Sequence, residues 1–125
     1  AYREFKRHRM QSYVAQPLTV AHRYEMPELV VNAGLGGRFQ EAMGRVESAF
    51  GKLCEFDPVV AQYLVTHAHM RRVLARMNLR ECYHDFKMRT SPQAHFSLRQ
   101  VMEQALQRAR EVHPLLFEYV RRRAT

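Results

Sequence analysis

The sequence contains no run of about 18 apolar residues, which excludes a membrane-spanning helix. Its opening "AYREFKRHRM" has no apolar stretch of the kind a secretory signal needs, so none is expected. Cysteine is scarce. Cys54 and Cys82 are too few for a disulfide framework, and both fall inside apolar helical patterns. They are expected to be buried free thiols in a reducing cytoplasm. Acidic residues are short against basic ones, 12 to 20, leaving a formal charge of +8. Lysine is also scarce, with Lys6, Lys52 and Lys87 alone, so the excess is arginine. A guanidinium presents a planar fork that grips phosphate at two points. The charge therefore favours anionic partners such as nucleotides, phosphates or nucleic acid.

What is present suits one globular domain: 125 residues, 46% hydrophobic, long enough to bury a substantial core. The chain opens without Met and in mid-pattern, so it is expected to be a piece of a longer protein. Tyr2, Phe5 and Arg9 are spaced as the end of a helix. Residues 11–27 read as extended or loop, because Pro17 and Pro27 break helices and "LTV" has strand character. "NAGLGG", Asn32 to Gly37, is a turn. It lacks the spacing and the Lys-Ser/Thr of a phosphate loop, and no dinucleotide fingerprint fits.

From Arg38 to about Phe56, Phe39, Ala42, Met43, Val46, Ala49, Phe50 and Leu53 recur at helical spacing. Asp57-Pro58 is a cap followed by proline at the first helical position, starting a helix through about Thr66. Residues 67–77 fit either a helix or alternation. Asn78 can cap another helix, with Glu81 three residues on, and Leu79, Cys82, Tyr83 and Phe86 as its buried stripe. Ser91-Pro92 reads as the start of the next helix, with Ala94, Leu98, Val101, Met102, Ala105, Ala109 and Val112 along one face. His113-Pro114 breaks it before a short terminal helix, and the closing "RRRAT" reads as a solvated end. The expected class is α+β, mostly helical with a small sheet.

No nucleophile elbow, paired cysteines or His-Glu-x-x-His segment is present. His67, His69, His84 and His95 are expected to be polar contacts and not metal ligands. Arg80 and His84 are four apart on the helix after Asn78, with Arg89 beside them and no countercharge on that side. Such donors suit a phosphate or a pyrimidine edge; they equally suit a solvated helix face.

Three segments together resemble the flavin-dependent thymidylate synthases, the ThyX or thymidylate synthase complementing protein family. "RHRMQS…HRY" is similar to the family's Arg-His-Arg, Ser, Arg-Tyr signature. "MNLRECYHDFKMRTSPQAHFSLRQ" resembles its Asn-x-Arg block, with an Arg eleven residues after the Asn. "HPLLFEYV" is like its short terminal helix. The resemblance implies a ThyX-like fold, with only its C-terminal part present, and similarity to the second domain of tandem ThyX-like proteins.

The resemblance also implies FAD as cofactor, NADPH and methylenetetrahydrofolate as co-substrates, and reductive methylation of dUMP to dTMP. It implies a homo-oligomer or an intramolecular partner domain. By match, Arg7, His8, Arg9, Asn78, Arg80 and His84 would bind the cofactor, and Arg23 and Arg89 would bind dUMP. No catalytic residue is assigned. The family's reactive Ser falls at Ala21, and the segment between Ser12 and Arg23 is longer than the family's. Phe96 stands for its Trp, His95 for the preceding Gln, and Gln62 where a further Arg is expected. Two other readings stand beside this one: a non-catalytic ThyX-like module serving a second domain, and a basic helical domain for nucleic acid, for which no motif is recognised.

Overall fold

The longest element is set by its apolar repeat. In the computed structural model, which describes residues 2–121, Gly36–Phe56 is one helix, α3, and it runs through Gly51 without a break. Before it come α1 (Tyr2–Phe5), β1 (Ser12–Ala15) and α2 (Glu28–Asn32). After it come α4 (Pro58–Ala61), a 3-10 turn Gln62–Leu64, β2 (Val73–Arg76), α5 (Leu79–Arg89), α6 (Phe96–Val112) and α7 (Pro114–Phe117). The class is α+β: helices with one small antiparallel sheet, β1 beside β2. The side chain of Tyr2 and the residues after Arg121 lie outside the described residues, and with them most of the "RRRAT" end.

The described chain forms two compact units. One is Val14–Leu74; the other is built from the chain on either side of it, up to Tyr13 and from Ala75 onward. In Val14–Leu74, Met43 of α3 and Ala61 of α4 are buried. Asp57 starts α4 as its sequence promised: its carboxylate accepts from Val59 N–H at 2.8 Å and Val60 N–H at 3.1 Å, with Pro58 at the first helical position. The helix expected to reach Thr66 tightens instead into the 3-10 turn after Ala61. Tyr24 packs against Phe39 and against the buried His69, which is held by the Thr66 hydroxyl at 2.9 Å.

Arg23 holds a left-handed backbone, φ 67°, while its carbonyl accepts from Met70 N–H at 2.9 Å. That conformation costs a non-glycine residue roughly 1–2 kcal/mol. The extended segment lies at Ser12–Ala15 and not at "LTV", because there it finds a partner in β2. Helix α2 was not anticipated.

In the other unit, Phe86, Leu98, Met102, Leu106, Phe117 and Val120 form the core. Phe117 meets Phe86 edge-on at 5.9 Å and stacks with Tyr83 at 6.2 Å. The Tyr83 hydroxyl donates to the Leu116 carbonyl at 2.7 Å, tying α7 to α5. Asn78 caps α5 by accepting from Glu81 N–H at 2.9 Å.

Two expectations are corrected here. Helix α6 begins at Phe96 with His95 as its cap, while the Ser91 hydroxyl donates back to the Met88 carbonyl and Pro92 sits in a turn. The buried face of α6 is then Leu98, Met102 and Leu106, and Val101 and Val112 are exposed. On α5, Leu79 is exposed and two carboxylates take the buried positions, Glu81 and Asp85.

Candidate functional site

The residues of the Arg7-His8-Arg9 triplet part company. His8 is buried, and Arg7 and Arg9 are exposed on either side of it. The reason lies on α5. Glu81, Asp85 and Arg89 are spaced by four, so they share one face of the helix. His8 Nδ1 lies 2.9 Å from Glu81 Oε1, and His8 Nε2 lies 3.0 Å from Asp85 Oδ1. Arg89 Nε donates to the same His8 Nε2 at 2.8 Å. The Arg89 guanidinium also reaches Glu4, its carboxylate at 3.2 Å and its carbonyl at 3.0 Å. Side chains from α1, the triplet and α5 are thus knitted into one buried polar cluster.

The cluster is short of donors. Asp85 is fully buried and neither of its oxygens receives a hydrogen bond, because His8 Nε2 is taken by Arg89. Burial pushes the Asp85 carboxyl above the usual range, and Glu81 adds to that. The charges of His8, Arg89 and His84 oppose it without overcoming it. The Cys82 thiol beside it is also pushed up, first by burial and then by Asp85.

Of the sequence-assigned residues, the structure joins His8 and Arg89 directly and brings the His84 ring to 5.3 Å from His8. Arg80 and His84 are exposed on the same helix. Asn78 lines a depression of about 350 Å³ together with Met10, Ser12, Arg76 and Met77. His84 lines another of about 310 Å³ with Tyr83, Lys87, Tyr119 and Arg121. Arg23 belongs to the Val14–Leu74 unit, where it is exposed. The expected absence of a countercharge near Arg89 is corrected: Glu4 pairs with it.

Sequence reasoning missed Glu4, Glu81 and Asp85. The available signal was the placement of 81 and 85 on the face that carries Cys82 and Phe86. Among the described residues, no group of three or more His, Cys, Asp or Glu side chains is arranged to hold a metal ion.

The donor set has a definite chemistry. Exposed guanidinia at Arg7, Arg9 and Arg80 and the depression at Asn78 and Ser12 offer cations and neutral donors suited to phosphate oxygens. The family model for thymidylate synthase complementing protein matches residues 1–115. The chain belongs to that family. It is 33% identical over 118 residues to a UPF0159 protein of Thermoplasma acidophilum, covering 93% of this chain and 24% of the relative. To a UPF0159 protein of Chlamydia muridarum it is 33% identical over 117 residues, covering 91% and 22%. The chain therefore spans about a quarter of the length of these relatives. Ala21 lies in a turn, and its N–H donates to the Thr19 hydroxyl at 3.2 Å. His84 is exposed, with its ring against that of His8.

Proposed function

We propose that this chain is the flavin- and nucleotide-binding segment of a thymidylate synthase complementing protein. In that reading the whole protein methylates dUMP to dTMP with FAD, NADPH and methylenetetrahydrofolate. The observation that carries the reading is the anchoring of the triplet. A buried His8, held by Glu81 and Arg89, fixes the backbone from which the exposed Arg7 and Arg9 project. Preset cations spend less conformational entropy in gripping an anion than free ones do. The FAD pyrophosphate fits such donors, with Arg7, Arg9, Asn78 and Arg80 as its holders and Arg89 toward the dUMP phosphate, while Arg23 is a separate nucleotide candidate on the Val14–Leu74 unit. When bound, the flavin supplies the redox step of the methylation.

Exposed Phe56 (86%) and Tyr63 (88%) on the Val14–Leu74 unit support a partner surface there, for a second copy or another domain of the same protein. A specific observation favours a second reading, in which the segment binds without catalysing. Ala21 brings no hydroxyl, and the Thr19 hydroxyl oxygen accepts from the Ala21 N–H within the turn.

Purified chain titrated with FAD and dUMP tests the first reading. Saturable binding of either, weakened about tenfold or more in Arg7→Ala/Arg9→Ala, is expected. Absence of binding to both, or binding indifferent to that double variant, overturns it. Turnover by the full-length protein separates the catalytic reading from the second.

A further inference from the structure

One atom in the buried cluster has two claimants. His8 Nε2 lies 2.8 Å from Arg89 Nε and 3.0 Å from Asp85 Oδ1. An imidazole nitrogen either accepts or donates. With one proton on His8, placed on Nδ1 toward Glu81, Nε2 accepts from Arg89 and faces Asp85 with a lone pair. With two protons, Nε2–H donates to Asp85 and can no longer accept from Arg89.

We propose that His8 is a positioning residue for Arg89: its second proton transfers the imidazole from Arg89 to Asp85 and frees the Arg89 Nε edge for an external anion. The ligand class, a nucleotide phosphate, rests on the function proposed above; the exchange inside the cluster does not.

The charge balance favours such an exchange. In the contacts that knit the cluster, three carboxyl groups, Glu4, Glu81 and Asp85, face the permanent cation Arg89. Protons on His8 and on Asp85 are the two means of reaching neutrality, and a buried cluster far from neutrality is costly. The titratable and charged groups facing His8 from α5 are Glu81, His84, Asp85 and Arg89, with Cys82 beside Asp85. From α1, Glu4 acts through Arg89. The Arg89 guanidinium is held at its other two nitrogens by Glu4, so loss of the His8 contact leaves Nε as its one unpaired edge. Asp85 is what makes the second proton useful: it is the acceptor that otherwise has none.

The test begins without ligand. Nitrogen-15 spectra of the purified chain between pH 5 and 8.5 follow the His8 ring and the Arg89 Nε–H together. Protection of the Arg89 Nε–H should be lost at the pH where His8 takes its second proton. In Asp85→Asn, which folds around a neutral isostere, that midpoint should move to lower pH. A protected Arg89 Nε–H on both sides of the His8 titration overturns the proposal, as does an unmoved midpoint in Asp85→Asn.

A second arm uses sulfate, whose charge is constant over this range. The wild-type chain should bind it about tenfold more tightly at a pH below the measured His8 midpoint than at one above it, and Arg89→Ala should remove that difference. Equal sulfate affinity at the two pH values overturns the coupling to anion binding. If the Arg89 transition and its sulfate dependence appear while dUMP never binds, the exchange stands and the nucleotide reading falls.

Discussion

Replacing Asp85 with Asn should make the protein more stable at neutral pH, although it removes a charge that sits beside two cationic groups. The carboxyl is fully buried with both oxygens unpaired. Leaving a buried polar group unpaired costs about 1–3 kcal/mol, and more when it is charged. Attraction to His8 and Arg89 recovers part of this, but burial is the larger influence and the carboxyl is pushed up. The folded state therefore holds the Asp85 proton more tightly than the unfolded state does. Its contribution to stability is complete at acid pH, below the ordinary carboxylate range, and is lost as pH rises through the raised folded value. Asn keeps the shape without the charge. A net gain of about 1 kcal/mol at pH 8 should raise Tm by about 4 °C for a chain of this size. The gain should shrink as pH falls, because the folded state takes up the Asp85 proton before the unfolded state does. Thermal melts by circular dichroism at half-unit steps from pH 4 to 8 give the whole profile. A variant less stable than wild type at pH 8, or an advantage that does not grow with pH, would refute the reasoning.

Three further outcomes are expected. Leu106→Ala, at a buried core position of α6, should cost about 2–5 kcal/mol in a urea melt, whereas Val101→Ala on the exposed face of the same helix should cost little. Arg23→Gly should stabilise the fold by roughly 1 kcal/mol in the same melt, by relieving the left-handed backbone, while weakening dUMP binding in a calorimetric titration. Cys82 should react slowly with iodoacetamide at pH 7.5 and faster as pH rises, and Asp85→Asn should speed it by removing a carboxylate that disfavours the thiolate. Peptide mass spectrometry of the alkylated sites reads that rate.

Much of the helical frame was legible because its signals are local. Asp57-Pro58 and Asn78 announce helix starts through cap chemistry that needs no distant partner, and α4 and α5 follow. The start of α6 was misread because Ser91-Pro92 carries the same local signature, yet the Ser91 hydroxyl turns back to Met88 and the chain makes a turn first. The buried stripe of α6 runs at four-residue steps through Leu98, Met102 and Leu106, so Leu106 and not Val101 enters the core.

The arginine and histidine set was legible as a group of donors. What holds it was not. Glu81 and Asp85 look like solvated positions on a charged helix until the triplet at His8, distant in sequence, is laid over them. Pairing of that kind is decided by tertiary placement, and no periodicity within α5 encodes it.

The ribbon of β1 and β2 has a further consequence for how the chain is assembled. The segment Val14–Leu74 leaves along one strand and returns along its neighbour, with Gln16 N–H still bonded to the Arg72 carbonyl at 3.2 Å. Bringing those distant points together costs loop-closure entropy, which grows only with the logarithm of the length enclosed. The two strands sit roughly 5 Å apart, a gap that a two-residue Asn-Gly turn spans. The intervening segment is topologically an insertion, and the chain that flanks it could be rejoined as a simple hairpin.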